Sequence, residues 1–365
     1  RRPPVRCAFL TPSWEHESTE LMLLGADGAG EAVPAVAQTF TAGCDVEAPL
    51  AAIGTWQELD LAPGLEGKIL VLYGEAARGL ALDRNATLLT AEERRATAIV
   101  VVSPLETVAT KLIRDPFLAV PAVGVSHSLG ERLRLQDGTL ARLRTRARRY
   151  ESTGHNVIAR IPGREAERVA VAAHYDTAAG VPGATDNASG TAAVLELGEV
   201  LAGAGTPRLG IELVAFGADE YGRHGGNLGA AEYVRRHPEE VRLTRAVIEA
   251  DGVGTIPRRP RVRLVGWPPG EREGVLEVLG RFPEYTVDDQ SDQPGARPPA
   301  FHLPGLPAAY FVDDYRHLPI HTTEDTIELM DRDALALAAE VMGAVAAHLV
   351  GSPSRPGGGR HGGAG

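Results

Sequence analysis

RVAVAAHYDTAAGVPGATDNASG, residues 168–190, decides the fold of this chain. A short apolar run (Val169, Val171, Ala172) ends in His174-Tyr175-Asp176, and a Gly/Pro-rich loop leads to Asp186-Asn187-Ala188-Ser189-Gly190. The run reads as a buried strand. Ser189 onward reads as a helix capped by that serine, because Thr191 to Leu201 is rich in helix formers with apolar residues at helical spacing. His174 and Asp186 then lie at the carboxyl end of a strand and in the loop after it, where open α/β sheets build their sites. An imidazole and a carboxylate in that place are ordinary zinc ligands.

Outward from this stretch, strands and helices alternate: strands at 157–161, 169–173, 211–216 and 245–250, helices at 189–202 and 226–236. Further strands are expected at 261–266 and 308–312, and helices at 271–282 and 331–350. Such alternation predicts a largely parallel sheet with helices on both faces. Ahead of it, residues 1 to about 40 give two short strand-like pieces, at 5–10 and 20–24. Short apolar runs at 48–53, 68–73, 98–102 and 120–125, with one helix at 91–98, predict a compact and mostly β module. The basic patch RTRARRY, residues 144–150, reads as a domain end and linker. The Gly/Pro/Ser-rich tail, residues 351–365, reads as disordered, so His361 is no ligand candidate.

The 365 residues suffice for two domains, and 44% hydrophobic with 23% charged residues is a globular composition. A formal net charge of -11 argues against a nucleic-acid partner. No apolar run reads as long enough to span a membrane. The chain starts RRPPVRC without Met, which fits a removed leader, and no signal peptide is visible. Cys7 and Cys44 allow one disulfide or two free thiols, too few to indicate a compartment. Lysine occurs only at Lys68 and Lys111 among 37 basic Lys and Arg residues, which reads as genome composition.

More strand ends carry acids or a histidine: Asp219-Glu220 after the strand at 211–216, Asp251 after 245–250, and His321 beyond 308–312. A parallel sheet gathers such ends at one edge. Two ions about 3.5–4 Å apart could share one carboxylate, with two further ligands each. The count closes with Asp186 as bridge, His174 and Asp251 on one ion, and Glu220 and His321 on the other. Asp219 remains as general base toward a water. Glu249 is left to anchor a substrate amine or to solvate the strand edge. Glu324 and Asp325 are expected to bond the turn after His321, and His224, His302 and His317 read as surface-loop residues, His317 and Arg316 standing near enough in sequence to line the pocket.

HYD (174–176), GATDNASG (183–190), FGADEYG (216–222), EADGVG (249–254), SDQ…F…GLPA (291–308) and HTTEDT (321–326) together resemble the zinc aminopeptidases of metallopeptidase clan MH. The resemblance implies a three-layer α/β/α sandwich with a mixed, largely parallel sheet, two zinc ions and the same five ligands. It adds Asp176 as the carboxylate that orients His174. LEGKILVLYGE (65–75), EERRATAIVVVSP (92–104) and AVPAVGVSHSLGERL (119–133) resemble a protease-associated domain. The expected organisation is therefore an N-terminal part of the peptidase domain at 1–40, a protease-associated insert at 41–148, the di-zinc peptidase domain at 149–350 and the tail.

The expected function is removal of N-terminal residues from peptides, with the acidic cleft recognising a free α-amine. A carboxypeptidase, a small-molecule amidohydrolase, a cyclase or a metal-binding protein without activity are the alternatives, and the substrate is a peptide or small amide. The resemblance also implies a secreted or cell-envelope rather than a cytoplasmic protein. Three positions depart from the family pattern: Asp219 stands where a Glu is usual, Ile320 where a Tyr can donate to the oxyanion, and Gln293 where a His is frequent. These departures bear on efficiency and substrate rather than on metal binding.

Overall fold

A computed structural model of the chain describes residues 3–25, 29–77, 86–111, 117–221, 227–293, 306–314 and 317–351. His224, His302, Arg316, His361 and the tail beyond residue 351 lie outside them. In chain order the first half holds β1 (Val5–Leu24), β2 (Gly30–Val33), β3 (Val36–Ala37), β4 (Cys44–Ile53), α1 (Trp56–Leu61), β5 (Ile69–Leu72), α2 (Ala86–Glu93), β6 (Ala98–Val102), β7 (Ala122–Val125) and α3 (His127–Leu133). The second half holds β8 (Leu140–Ile161), β9 (Arg168–His174), α4 (Ser189–Gly203), β10 (Gly210–Phe216), α5 (Leu228–Arg236), α6 (Pro238–Arg242), β11 (Thr244–Ala250), β12 (Pro260–Val265), α7 (Pro269–Leu279), β13 (Thr286–Asp289), β14 (Ala308–Asp313) and α8 (Arg332–Gly351).

The sheet runs β13-β12-β14-β11-β9-β10-β8 through the C-terminal lobe. β9 lies in its interior, parallel to both β10 and β11. Its alternate residues explain why helices must cover both faces, since successive strand side chains point to opposite sides. Val169, Val171 and Ala173 enter one core with α4, α7 and α8 residues. Ala170 and Ala172 enter the other, with Ala230 and Tyr233 of α5. The expected α/β architecture with a mixed central sheet is what the chain forms.

Beyond β8 the same sheet continues β4-β5-β6-β7-β3. β4, β5, β6 and β7 are mutually parallel, with α1, α2 and α3 among them, so this lobe is α/β rather than mostly β. The helix expected at 91–98 lies earlier, at Ala86–Glu93.

The main departure from the sequence reading is the ribbon that joins the lobes. The two short pieces expected before residue 25 are one 20-residue strand, β1, paired antiparallel along β8 with an irregularity between His16 and Ser18. The 144–150 patch is no linker but the middle of β8. Its arginines alternate with buried Ala141, Leu143 and Thr145 and meet acids on neighbouring strands: Arg142 grips Asp45 through two hydrogen bonds of 2.8 and 2.9 Å, and Arg148 reaches Glu15 at 2.9 Å. Cys7 and Cys44 are both free.

α8 is long and apolar enough, by length and composition, to cross a membrane, contrary to the expectation that no stretch reaches that length. Here Val341, Met342, Val345 and Ala346 on one face are fully buried in the core over β9 and β11. Phe311 of β14 is fully buried in that core, its ring edge-on to Tyr285. Phe311→Ala is expected to cost about 3–5 kcal/mol of stability, read from denaturant melts.

Candidate metal centre

The ends of β9, β10 and β11 deliver His174, Asp219-Glu220 and Asp251 to one edge, as parallel neighbours must. Two loops complete the group. The first runs from β9 to α4 and carries Asp186. It is stitched down by Asn187, whose side chain donates to the Ala250 carbonyl at 2.9 Å and accepts the backbone N–H groups of Gly190 (2.9 Å) and Gly252 (3.2 Å). Gly190 is required there: a Cβ would stand 2.4 Å from the Ala250 carbonyl oxygen. Ser189 is the first residue of α4 rather than its cap. Its hydroxyl donates to Thr185 O at 2.8 Å and accepts from Val253 N at 3.1 Å.

The second loop carries His321, held at a left-handed φ of 58°, and Asp325. Asp325 is fully buried and faces the other loop, not only its own turn. Its carboxylate accepts the N–H groups of Thr185 at 2.8 Å and Asp186 at 3.1 Å. Glu324 is exposed, its N–H donating to Thr322 Oγ1.

Asp186 stands between two imidazoles, its Oδ1 3.1 Å from His174 Nε2 and its Oδ2 2.8 Å from His321 Nε2. Asp251 Oδ1 lies 3.3 Å from His174 Nε2, and Glu220 Oε2 lies 3.6 Å from His321 Nε2. Two donor sets result, His174–Asp186–Asp251 and Asp186–Glu220–His321, each with its ligand atoms within 4.8 Å of one another and both containing Asp186. Tyr310 of β14 donates to Asp251 Oδ2 at 2.7 Å and fixes that carboxylate. Buried oxygens of Asp219 (Oδ1) and Glu220 (Oε1) have no hydrogen-bond partner among the described residues. Imidazole nitrogens with carboxylate oxygens, some of them unsatisfied and buried, are a fit for zinc-type cations.

The protonation pattern follows from burial and from the crowding of carboxylates around two imidazoles. Burial opposes a proton on His174, but Asp219, Asp176, Asp186 and Asp251 outweigh it and hold the imidazole well above its usual range. Burial would raise Asp186, yet hydrogen bonds from His174 and His321 hold it well below the usual carboxylate range. Burial pushes Asp219 up to about 6, with His174 opposing and Asp176 and Asp251 reinforcing the rise.

Asp176 does a further job beside the one expected of it. His174 Nδ1 donates to the backbone carbonyl of Asp176 at 3.0 Å, leaving Nε2 to face the donor sets, while the carboxylate is 3.8 Å from Nδ1. That carboxylate accepts the N–H groups of Asp219 (3.0 Å) and Glu220 (3.2 Å), and so fixes the turn that carries both acids. Glu249 is buried at 2% exposure, which removes the reading that it solvates the strand edge. His317 and Gln293 are exposed.

Sequence reasoning also passed over the contribution of the first lobe. Thr110 N donates to the His321 carbonyl at 2.9 Å, and the buried Lys111 forms an ion pair with Glu220. Phe40 sets its ring edge-on to Tyr221, the residue after Glu220. Only the rarity of lysine in the chain could have singled out Lys111.

A sheet edge that collects two imidazoles around a shared carboxylate defines a metallohydrolase-type α/β protein. The model of peptidase family M28 matches residues 156–346, more than half of the chain, and the chain belongs to that family. Aminopeptidase YwaD of Bacillus subtilis (strain 168) is 28% identical over 330 residues, 85% of this chain and 68% of the relative. Leucine aminopeptidase 1 of Pyrenophora tritici-repentis is 26% identical over 226 residues; this match takes in 53% of the chain and 55% of the relative. Among solved structures, a peptidase M28 precursor from Shewanella amazonensis SB2B superposes with a TM-score of 0.80 at 20% identity, covering 96% of this chain and 85% of that one. BSAP, a zinc aminopeptidase from Bacillus subtilis, gives a TM-score of 0.69 at 24% identity over 94% of this chain and 85% of that one. These two structures share the fold.

Because Asp325 holds the backbone of Asp186 without entering either donor set, Asp325→Ala is expected to weaken zinc binding about 10–100-fold with every donor retained. Competition against a colorimetric chelator measures this.

Proposed function

We propose that the protein is a zinc-dependent aminopeptidase in which His174 and Asp251 hold one ion, Glu220 and His321 hold a second, and Asp186 holds both. The placement of Asp186, with one oxygen toward each imidazole, is the observation that carries the reading. Bound there, the ions would supply Lewis acidity at the scissile carbonyl and lower the pKa of an attacking water.

The chain's own residues supply the rest. Asp219 takes the proton of the attacking water and returns it to the leaving amine, a role that suits a buried carboxyl whose affinity for protons is raised. Asp176 keeps Asp219 beside Glu220 by holding both backbone N–H groups. Asp is one methylene shorter than Glu, so Asp219 depends on this turn for its reach. The carboxylates around the edge favour a substrate with a free, positively charged α-amine. YwaD and BSAP are both named aminopeptidases, which supports exopeptidase action on peptide N-termini.

Asp219→Asn, which keeps shape but loses the proton acceptor, is expected to lower kcat about 10²–10⁴-fold with little change in KM. Steady-state assays on free peptides check it. Incubation of the zinc-loaded protein with paired free and N-acetylated peptides is expected to shorten only the free ones by single N-terminal residues, and a chelator to abolish this. Mass spectrometry reads both; equal cleavage of acetylated peptides would contradict the α-amine recognition.

A further inference from the structure

Glu220 Oε2, the oxygen that faces His321, is also the atom against which Lys111 sets its ammonium. The pair is enclosed, with the side chains of Lys111 and Glu220 only 7% and 1% exposed. The lysine arrives from another lobe, on the chain between β6 and β7. Its position is fixed by the preceding residue: Thr110 donates to the His321 carbonyl from its backbone N–H at 2.9 Å and from its hydroxyl at 3.4 Å. One dipeptide therefore touches both outer members of the Asp186–Glu220–His321 set. Glu220 and His321 belong to that set alone, while His174 and Asp251 belong to the other.

The residue type matters. Lysine occurs twice in a chain that otherwise uses arginine for its basic positions. An ammonium is a compact point charge able to sit beside a carboxylate oxygen in the way a metal ion does, whereas a planar guanidinium needs a wider, forked site. Two cations within about 4 Å in a buried site repel strongly, so an ion on that Glu220 oxygen and the ammonium of Lys111 exclude one another.

We propose that Lys111 is a built-in competitor for the second cation: its ammonium pairs with the Glu220 oxygen that faces His321, and an ion enters the Asp186–Glu220–His321 set only by displacing it. The two sets therefore load unequally, His174–Asp186–Asp251 first. This rests on the ligand assignment proposed above.

Zinc titration by calorimetry, with bound metal counted by mass spectrometry, tests it on the full-length wild type and Lys111→Met. The wild type is expected to bind one ion tightly and a second weakly, and the variant to tighten the second at least about tenfold with the first unchanged. Two ions bound by both proteins with the same two constants, or a weaker second ion in the variant, would overturn the proposal and leave the ligand assignment standing. Failure of the wild type to bind any stoichiometric zinc would overturn both.

Should the variant not fold, amine-selective labelling of the wild type decides instead, with Lys68 as internal reference. Labelling of Lys111 is expected to stay low through the first equivalent of zinc and to rise with the second. Labelling that does not change across the titration overturns the proposal.

Discussion

The concentration of negative charge at the carboxyl edge of the sheet is the constraint on which the rest of this molecule depends. Asp176, Asp186, Asp219, Glu220 and Asp251 converge there, most of them poorly exposed, and burial of so many carboxylates is unfavourable unless something positive answers them. The answer comes from His174, held well above its usual range, from His321 beside Asp186, and from Lys111. Divalent cations in the same positions would answer it more completely and leave the imidazoles neutral. The fold is a device for holding those groups together against their mutual repulsion.

That holding is done by groups that are not themselves donors. Asn187 ties the helix start to the end of β11, Asp325 fixes the backbone of Asp186, Asp176 fixes the turn of Asp219 and Glu220, and Tyr310 fixes Asp251. Each acts through one or two hydrogen bonds inside a buried setting, where such bonds are hard to replace with water. The first lobe adds its own restraint through Thr110 on His321, so the site belongs to both lobes even though the five proposed ligands come from one. The shared β1–β8 ribbon makes this possible, because it sets the two lobes on one continuous sheet.

Much of this was legible in the sequence. The apolar run that ends in His174 shows a strand and its functional end together, and the same pattern recurs at Phe216, Ala250 and Tyr310, so the parallel sheet and the members of the donor sets follow from local texture. What was not legible depends on partners distant in sequence. β8 between residues 144 and 150 looks like a basic linker because of its run of arginines. It is a strand only because acids on β1 and β4 stand opposite. Asp176 and Asp325 were recognised as useful acids, but the N–H groups they hold were not foreseen, since backbone N–H groups leave no mark in the sequence. Lys111 lies in an otherwise unremarkable loop of the other lobe, and nothing local connects it to Glu220.

The most direct measurement is X-ray diffraction from zinc-soaked crystals, with anomalous data collected on both sides of the zinc edge. The account predicts two anomalous peaks flanking Asp186, one against His174 and Asp251 and the other against Glu220 and His321. A single peak away from Asp186, or fully ordered ligand side chains with no zinc among them, would contradict it.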